Sequence, residues 1–243
     1  LLDAAEAHHV DFLFEAAVAG GIPIIRPLKE CLAGNHMAEV MGIVNGTTNF
    51  ILTEMTENGS DFDSVLKDAQ AKGYAEADPT ADVEGYDACR KIAILTSLAY
   101  GKQLDFEDIY TEGITKITDR DIKYAAKLKA KVKIFGSSKL AGDKVSAMVA
   151  PKLITHDHPL YSVDGVFNAI LVKGNMVGDV MFYGQGAGKL ATASAVVSDI
   201  MEASENLDNN INVIWSDEKL ELMPMDEVVS KFFVSCLLYT SPS

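Results

Sequence analysis

Lys72-Gly73-Tyr74-Ala75-Glu76-Ala77-Asp78-Pro79-Thr80-Ala81-Asp82-Val83-Glu84-Gly85-Tyr86-Asp87-Ala88-Cys89-Arg90-Lys91 leads into Ile92–Tyr100 and then Gly101. Asp78-Pro79 is a strong helix start: the Asp accepts from unpaired amides and Pro has no amide to lose. The pattern predicts one long helix from there to about Tyr100, stopped by Gly101. Asp87 and Lys91 are four apart and share a face that Ile94 and Leu98 continue. Two readings follow. An i,i+4 pair in water is worth only a few tenths of a kcal/mol. A charged pair opening an otherwise apolar stripe is costly unless the charges serve each other or a ligand. Glu76, in the loop before the helix, is within reach of folding back toward the pair. Two carboxylates and an ammonium on one cleft suit a small zwitterion and a proton transfer, with the lysine as general acid or base.

Working backward, Asp61–Ala71 reads as a short helix capped by Ser60 or Asp61, with Gly73 just past its end. Asn45-Gly46-Thr47-Thr48-Asn49 is a polar entry into a helix carrying Phe50, Ile51, Leu52 and Met55. Asp11–Glu15 reads as a short buried strand, and Ala16–Ile24 as a small-residue turn. Leu2 to about His9 reads as helix; with no initiator Met and no strand before it, it is expected to be the interior of a longer chain. Working forward, Asp119–Lys131 reads as a basic-faced helix. Lys131–Phe135, Val145–Val149, Phe167–Val172 and Val177–Phe182 read as strands, and Ala191–Ala203 as a final helix after Gly184-Gln185-Gly186-Ala187-Gly188. The expected class is α/β, with an α+β-type mixed sheet carrying helices, opened by the last piece of a βαβ, Rossmann-type domain.

Bulk properties narrow the function. The 243 residues carry a formal charge of −14, spread along the chain, which argues against nucleic acid or an anionic membrane as partner. No apolar run approaches the roughly 20 residues of a membrane span, and no secretory signal opens the chain. Cys31, Cys89 and Cys236 form no C-x-x-C pair, which suits a reduced, cytoplasmic compartment. The five histidines lack metal-ligand spacing and are expected on the surface or in packing. Cys236-Leu237-Leu238-Tyr239-Thr240-Ser241-Pro242-Ser243 is similar to a translated sequencing adapter, with a frayed natural tail as the other reading.

Four separated stretches resemble the homoserine dehydrogenase family in order and spacing: Phe14–Ile24, Gly42–Leu52, Gly73–Lys91, and Gly184–Gly188 with Thr192–Val196. The match runs from about Leu1 to Val234. The resemblance implies an NAD- or NADP-dependent oxidoreductase interconverting L-aspartate 4-semialdehyde and L-homoserine, on the way to threonine and methionine. It implies that Lys91 donates the proton, that Asp87, Glu76 and Thr47 line the substrate, and that Gly73, Glu76 and Gly188 lie near the nicotinamide. A Thr after Asn-Gly more often caps a helix, so the capping reading of Thr47 stands beside this one. It implies a monovalent cation site, usually sodium, at Glu15, Val18, Gly20 and Ile22; a plain glycine turn is the alternative. It also implies a cytoplasmic homodimer joined through the sheet. The expected organisation is 1–25 as the end of a nucleotide-binding domain, 26–188 as substrate and dimerisation domain, and 189–216 as a helix returning to the nucleotide-binding domain. Residues 217–235 then run toward a regulatory ACT domain, and 236–243 are the extraneous tail. The family's G-x-G-x-x-G pyrophosphate turn does not occur in the 243 residues. Two other readings remain open: a catalytically inactive dimerising piece of such an enzyme, or a dehydrogenase of another small hydroxy amino acid.

Overall fold

The computed structural model describes residues 2–207 and 215–234; the expected tail 236–243 lies outside them. In chain order the helices are α1 (Leu2–Ala7), α2 (Gly46–Asn58), α3 (Phe62–Ala71), α4 (Thr80–Val83), α5 (Tyr86–Tyr100), α6 (Asp119–Lys127) and α7 (Lys189–Glu205). The strands are β1 (Met37–Ile43), β2 (Lys102–Gln103), β3 (Tyr110–Thr111), β4 (Ala130–Ala141), β5 (Lys144–Thr155), β6 (Phe167–Gly174), β7 (Gly178–Gln185) and β8 (Ser216–Lys219). Six of them form one sheet in the order β3-β5-β4-β1-β6-β7, antiparallel throughout except where β3 runs parallel to β5. This is the mixed sheet with helices that the sequence predicts.

Helices α2, α5 and α6 pack on one face of the sheet. That face contributes Val40 from β1, Val132 and Ile134 from β4, Val145, Ala147 and Val149 from β5, and Ile170 and Val172 from β6 to the main core. The alternate residues Met41, Ile43, Phe135, Ile154, Ala169 and Leu171 point the other way, under a short 3-10 turn at Pro159–Ser162. Beyond that cover, Met181 and Tyr183 of β7 are exposed.

The local signals for α3 and α5 are realised: Asp61 accepts from the Ser64 amide, and Gly101 adopts φ 70° at the end of α5. Three expectations change. Asp11–Glu15 is not a strand; it is irregular and ends in a 3-10 turn at Glu15–Ala17, because no neighbouring strand among the described residues pairs with its backbone. The long helix is two, α4 and α5, broken at Gly85 (φ 82°). Helix-breaking there is enforced by tertiary contact: a Cβ on Gly85 would already touch Thr111 and Val149 at 3.3 Å, and the Ile114 amide donates to the Val83 carbonyl. The basic-faced helix ends at Lys127, and β4 begins at Ala130. β1, central in the sheet, carries no period-2 signal because both its faces are buried over Val40–Ile43.

Helix α5 lies on β4 where Gly136 leaves room for Ile92; a Cβ on Gly136 would stand 2.8 Å from the Ile92 Cβ. Gly136→Val therefore overpacks the layer, and we expect a loss of about 1–3 kcal/mol. Urea denaturation checks it: the midpoint falls while the slope m stays constant.

Candidate active site

The turn between β1 and α2 is the junction of the site. Asn45 caps α2, its Oδ1 accepting from the Thr48 amide at 2.9 Å and from Thr48 Oγ1 at 2.9 Å. Its Nδ2 donates to Asp82 Oδ1 at 2.7 Å and Asp87 Oδ2 at 2.9 Å. Lys91 Nζ donates to the same Asp87 Oδ2 at 2.7 Å and to the Val44 carbonyl at 2.9 Å. Two of the three ammonium hydrogens are thus committed, and the third has no partner among the described residues. The side chains of Lys91 and Asp87 are 20% and 30% exposed, so the pair sits at the lip of the fold, neither in bulk water nor in the core. Two carboxylates against one ammonium leave the cluster net negative.

Thr47, from the first turn of α2, donates its hydroxyl to the Tyr74 carbonyl at 2.7 Å. The loop after α3 is held from its other side by Gln70 Nε2, which donates to the Glu76 carbonyl at 3.0 Å. Tyr74 meets Phe50 of α2 edge-on, with centroids 5.1 Å apart. The loop bearing Gly73 and Glu76 is therefore docked beside the Asn45 cluster. The Glu76 side chain is exposed and, among the described residues, makes no ion pair with Lys91. Gly73 has φ 75° and Gly188 has φ 120°, and a Cβ at either would meet open space, leaving bare backbone turned outward.

Of the expected cation-site residues Glu15, Val18, Gly20 and Ile22, Gly20 and Ile22 are brought against the Gly184–Gly188 loop. The Gly21 amide donates to the Gln185 carbonyl, and a Cβ on Gly20 would stand 2.5 Å from the Gly186 carbonyl oxygen. Ala19 and Gly20 are consecutive left-handed residues (φ 57° and 49°). Val18 and Ile22 are buried, and among the described residues the carbonyls of Val18, Gly20 and Ile22 accept no hydrogen bond. The Glu15 carboxylate is occupied otherwise: it accepts from the amides of Ile24 (2.5 Å), Ile25 (2.8 Å) and Arg26 (2.9 Å). No group of three or more His, Cys, Asp or Glu side chains suited to a metal occurs among the described residues. Any cation here would rest on backbone carbonyls.

Sequence reasoning missed Asn45 and Asp82 as members of the cluster. On one unbroken helix Asp82 would lie about 140° around from Asp87 and face away from it. The break at Gly85 swings Asp82 back to the same amide. Asn45 carried only the signature of a cap.

The chain matches the family model described as homoserine dehydrogenase over residues 23–201. It is 46% identical over 238 residues to homoserine dehydrogenase of Neisseria gonorrhoeae, covering 95% of this chain and 55% of that protein. It is 48% identical over 207 residues to that of Bacillus subtilis, covering 85% and 48%. Among solved structures, homoserine dehydrogenase from Thiobacillus denitrificans superposes with a TM-score of 0.88 at 44% identity, covering 93% of this chain and 54% of that one. A hyperthermophilic archaeal homoserine dehydrogenase in complex with NADPH gives a TM-score of 0.72 at 31% identity, covering 86% and 60%. The chain spans about half the length of the curated relatives it matches.

Beneath the cluster, a buried cation steadies α2. Register places Lys133 of β4 opposite the position where β1 has already turned away at Asn45. Lys133 is 1% exposed, and its Nζ donates to Asp164 Oδ1 (2.7 Å), Asn49 Oδ1 (3.0 Å) and the Val163 carbonyl (2.6 Å). Burial pushes the Lys133 pKa down, opposed by Asp164. Burial works to raise that of Asp164, but Lys131 and Lys133 outweigh it and hold the carboxyl below its ordinary 3.8. A depressed carboxyl stabilises the fold above its unfolded pKa and loses that contribution as pH falls through the folded one. Asp164→Asn should therefore cost about 2–3 kcal/mol at neutral pH, less than for a fully buried pair because Asp164 is partly exposed. In denaturant titrations across pH, the gap to the parent chain should close as pH falls below about 4; an unchanged midpoint at neutral pH would show that Lys133 needs no counter-charge.

Proposed function

The chain belongs to the homoserine dehydrogenase family, and on that premise we propose that the whole protein interconverts L-aspartate 4-semialdehyde and L-homoserine with NAD or NADP. The observation that carries the reading is Lys91: an ammonium at the lip of the fold, fixed by a carboxylate and a carbonyl, with one hydrogen left to give. A nicotinamide cofactor, when bound, would supply the hydride that the aldehyde carbon needs. Lys91 gives a proton to the aldehyde oxygen, and in the reverse direction takes it from the hydroxyl. Asp87, whose Oδ1 is left over from its contacts with Lys91 and Asn45, and Glu76 receive the α-ammonium of the substrate; Thr47 borders it. The outward backbone of Gly73 and Gly188 admits the nicotinamide, and Glu76 lies beside it.

The buried, unpartnered carbonyls of Val18, Gly20 and Ile22 suit a hard monovalent cation such as sodium, with Glu15 contributing its backbone oxygen. Such an ion would brace the Gly184–Gly188 loop against the turn. Residues 1–25 and 189–216 belong to a nucleotide-binding domain, 26–188 to the substrate and dimerisation domain, and 217–235 to the run toward an ACT domain. In support, the Glu15 amide and Arg26 both bond Asp199 of α7. Leu190, Val197, Ile200 and Met201 leave α7 an apolar outer side for such a domain to cover. The exposed sheet face at Met181 and Tyr183 suits a homodimer. No described helix is long and apolar enough to cross a membrane, and the acidic charge disfavours nucleic acid; we place the enzyme in the cytoplasm.

The test is reduction of NAD or NADP that depends on L-homoserine, followed at the absorption band of the reduced nicotinamide, in the enzyme carrying its nucleotide-binding domain. Lys91→Ala should lower turnover about 10²- to 10⁴-fold while homoserine still binds. Weakened cofactor binding with turnover intact would remove Lys91 from the chemistry, and activity confined to another hydroxy amino acid would overturn the substrate assignment.

A further inference from the structure

We infer that Asn45 is a positioning residue that aims the Asp87–Lys91 pair, a role that rests on the reading of Lys91 as proton donor. Its amide has four hydrogen-bonding valences, and all four are used. The oxygen takes the Thr48 amide and hydroxyl, and the nitrogen gives one hydrogen to Asp82 and one to Asp87. The orientation admits no alternative. A flipped amide would set its NH2 against the Thr48 N–H and its oxygen against two carboxylates. Because α2 demands an oxygen at its start, the two hydrogens must face the carboxylates.

The consequence reaches Lys91 through one atom. Asp87 Oδ2 accepts from both Asn45 and Lys91, at 2.9 and 2.7 Å. Asn45 thus decides which carboxylate oxygen the ammonium meets and leaves Oδ1 for a ligand. It also holds Asp82 and Asp87 on one donor group across the Gly85 break, where otherwise only their mutual repulsion would relate them. Asn45 is 7% exposed and Thr48 1%, so the amide's frame is rigid.

Asp and Ser cap helices about as well as Asn. If Asn45 only caps α2, Asn45→Asp and Asn45→Ser should behave like the parent. If it positions the pair, both should fail in different ways. Asp sets a third carboxylate against two others, and Ser keeps the cap but withdraws the donors. In the enzyme with its nucleotide-binding domain, we expect turnover with homoserine to fall about 10- to 100-fold in each variant, a size typical of a displaced reacting group. The melting temperature should stay within a few degrees in Asn45→Ser and fall further in Asn45→Asp, where like charges meet in a buried site. A second readout is independent of catalysis. In nitrogen-detected NMR of the same enzyme, the Lys91 ammonium and the Asn45 side-chain amide should each shift on Asp87→Asn, and the ammonium resonance should move or vanish in Asn45→Ser. Turnover at the parent level in both variants, with the Lys91 resonance unmoved, overturns the proposal. If Lys91→Ala itself retains turnover, the proton-donor reading fails alone, and the resonance then decides whether Asn45 still orients Lys91.

Discussion

The ammonium of Lys133 is the constraint from which the site is built. β1 lies between β4 and β6 but stops at Ile43, two positions short of the register of Lys133. A buried charge occupies that register, satisfied by a carboxylate, an amide oxygen and a carbonyl. Such a group tolerates little displacement, since each bond lost would leave a charge in low dielectric. Asn49, one of its partners, is in the first turn of α2 and also donates to the carbonyls of Val163 and Phe167. The start of α2 is thereby pinned to the sheet from below.

From that pinned turn, two side chains reach the other way. Thr47 holds the loop with Gly73 and Glu76, and Asn45 holds Asp82 and Asp87. One helix end therefore fixes both the loop and the carboxylate pair, and the Lys91 ammonium is held through Asp87 and the Val44 carbonyl. Rigid elements place such groups more accurately than free loops do.

Glycine serves the opposite purpose on the other side. Gly20 and Gly186 approach too closely for any side chain, and Gly186 itself presses on the amide of Asn168. These contacts bind the N-terminal turn to the loop before α7. The turn bearing Val18, Gly20 and Ile22 and the loop with the outward Gly188 are therefore packed directly against each other.

What the sequence determined by itself is what short-range chemistry decides. Asp61 and Gly101 mark the limits of α3 and α5, Asn45 starts α2, and i,i+4 spacing joins Asp87 to Lys91; each depends on neighbours within a turn or two. β4 to β7 were legible in kind, though β4 and β5 run longer than their signals. The expected strand at Asp11–Glu15 and the unmarked β1 went the other way, because pairing is a property of two segments and neither shows its partner in sequence. The tertiary structure alone decided that Gly85 breaks the helix, since its contacts are Thr111 and Val149. With that break came the turning of Asp82 onto Asn45. The same packing left Glu76 exposed and, among the described residues, without an ion pair to Lys91. A charge cluster assembled from three separate segments has no local spacing to betray it, so the sequence determined the pair, while the fold decided its company.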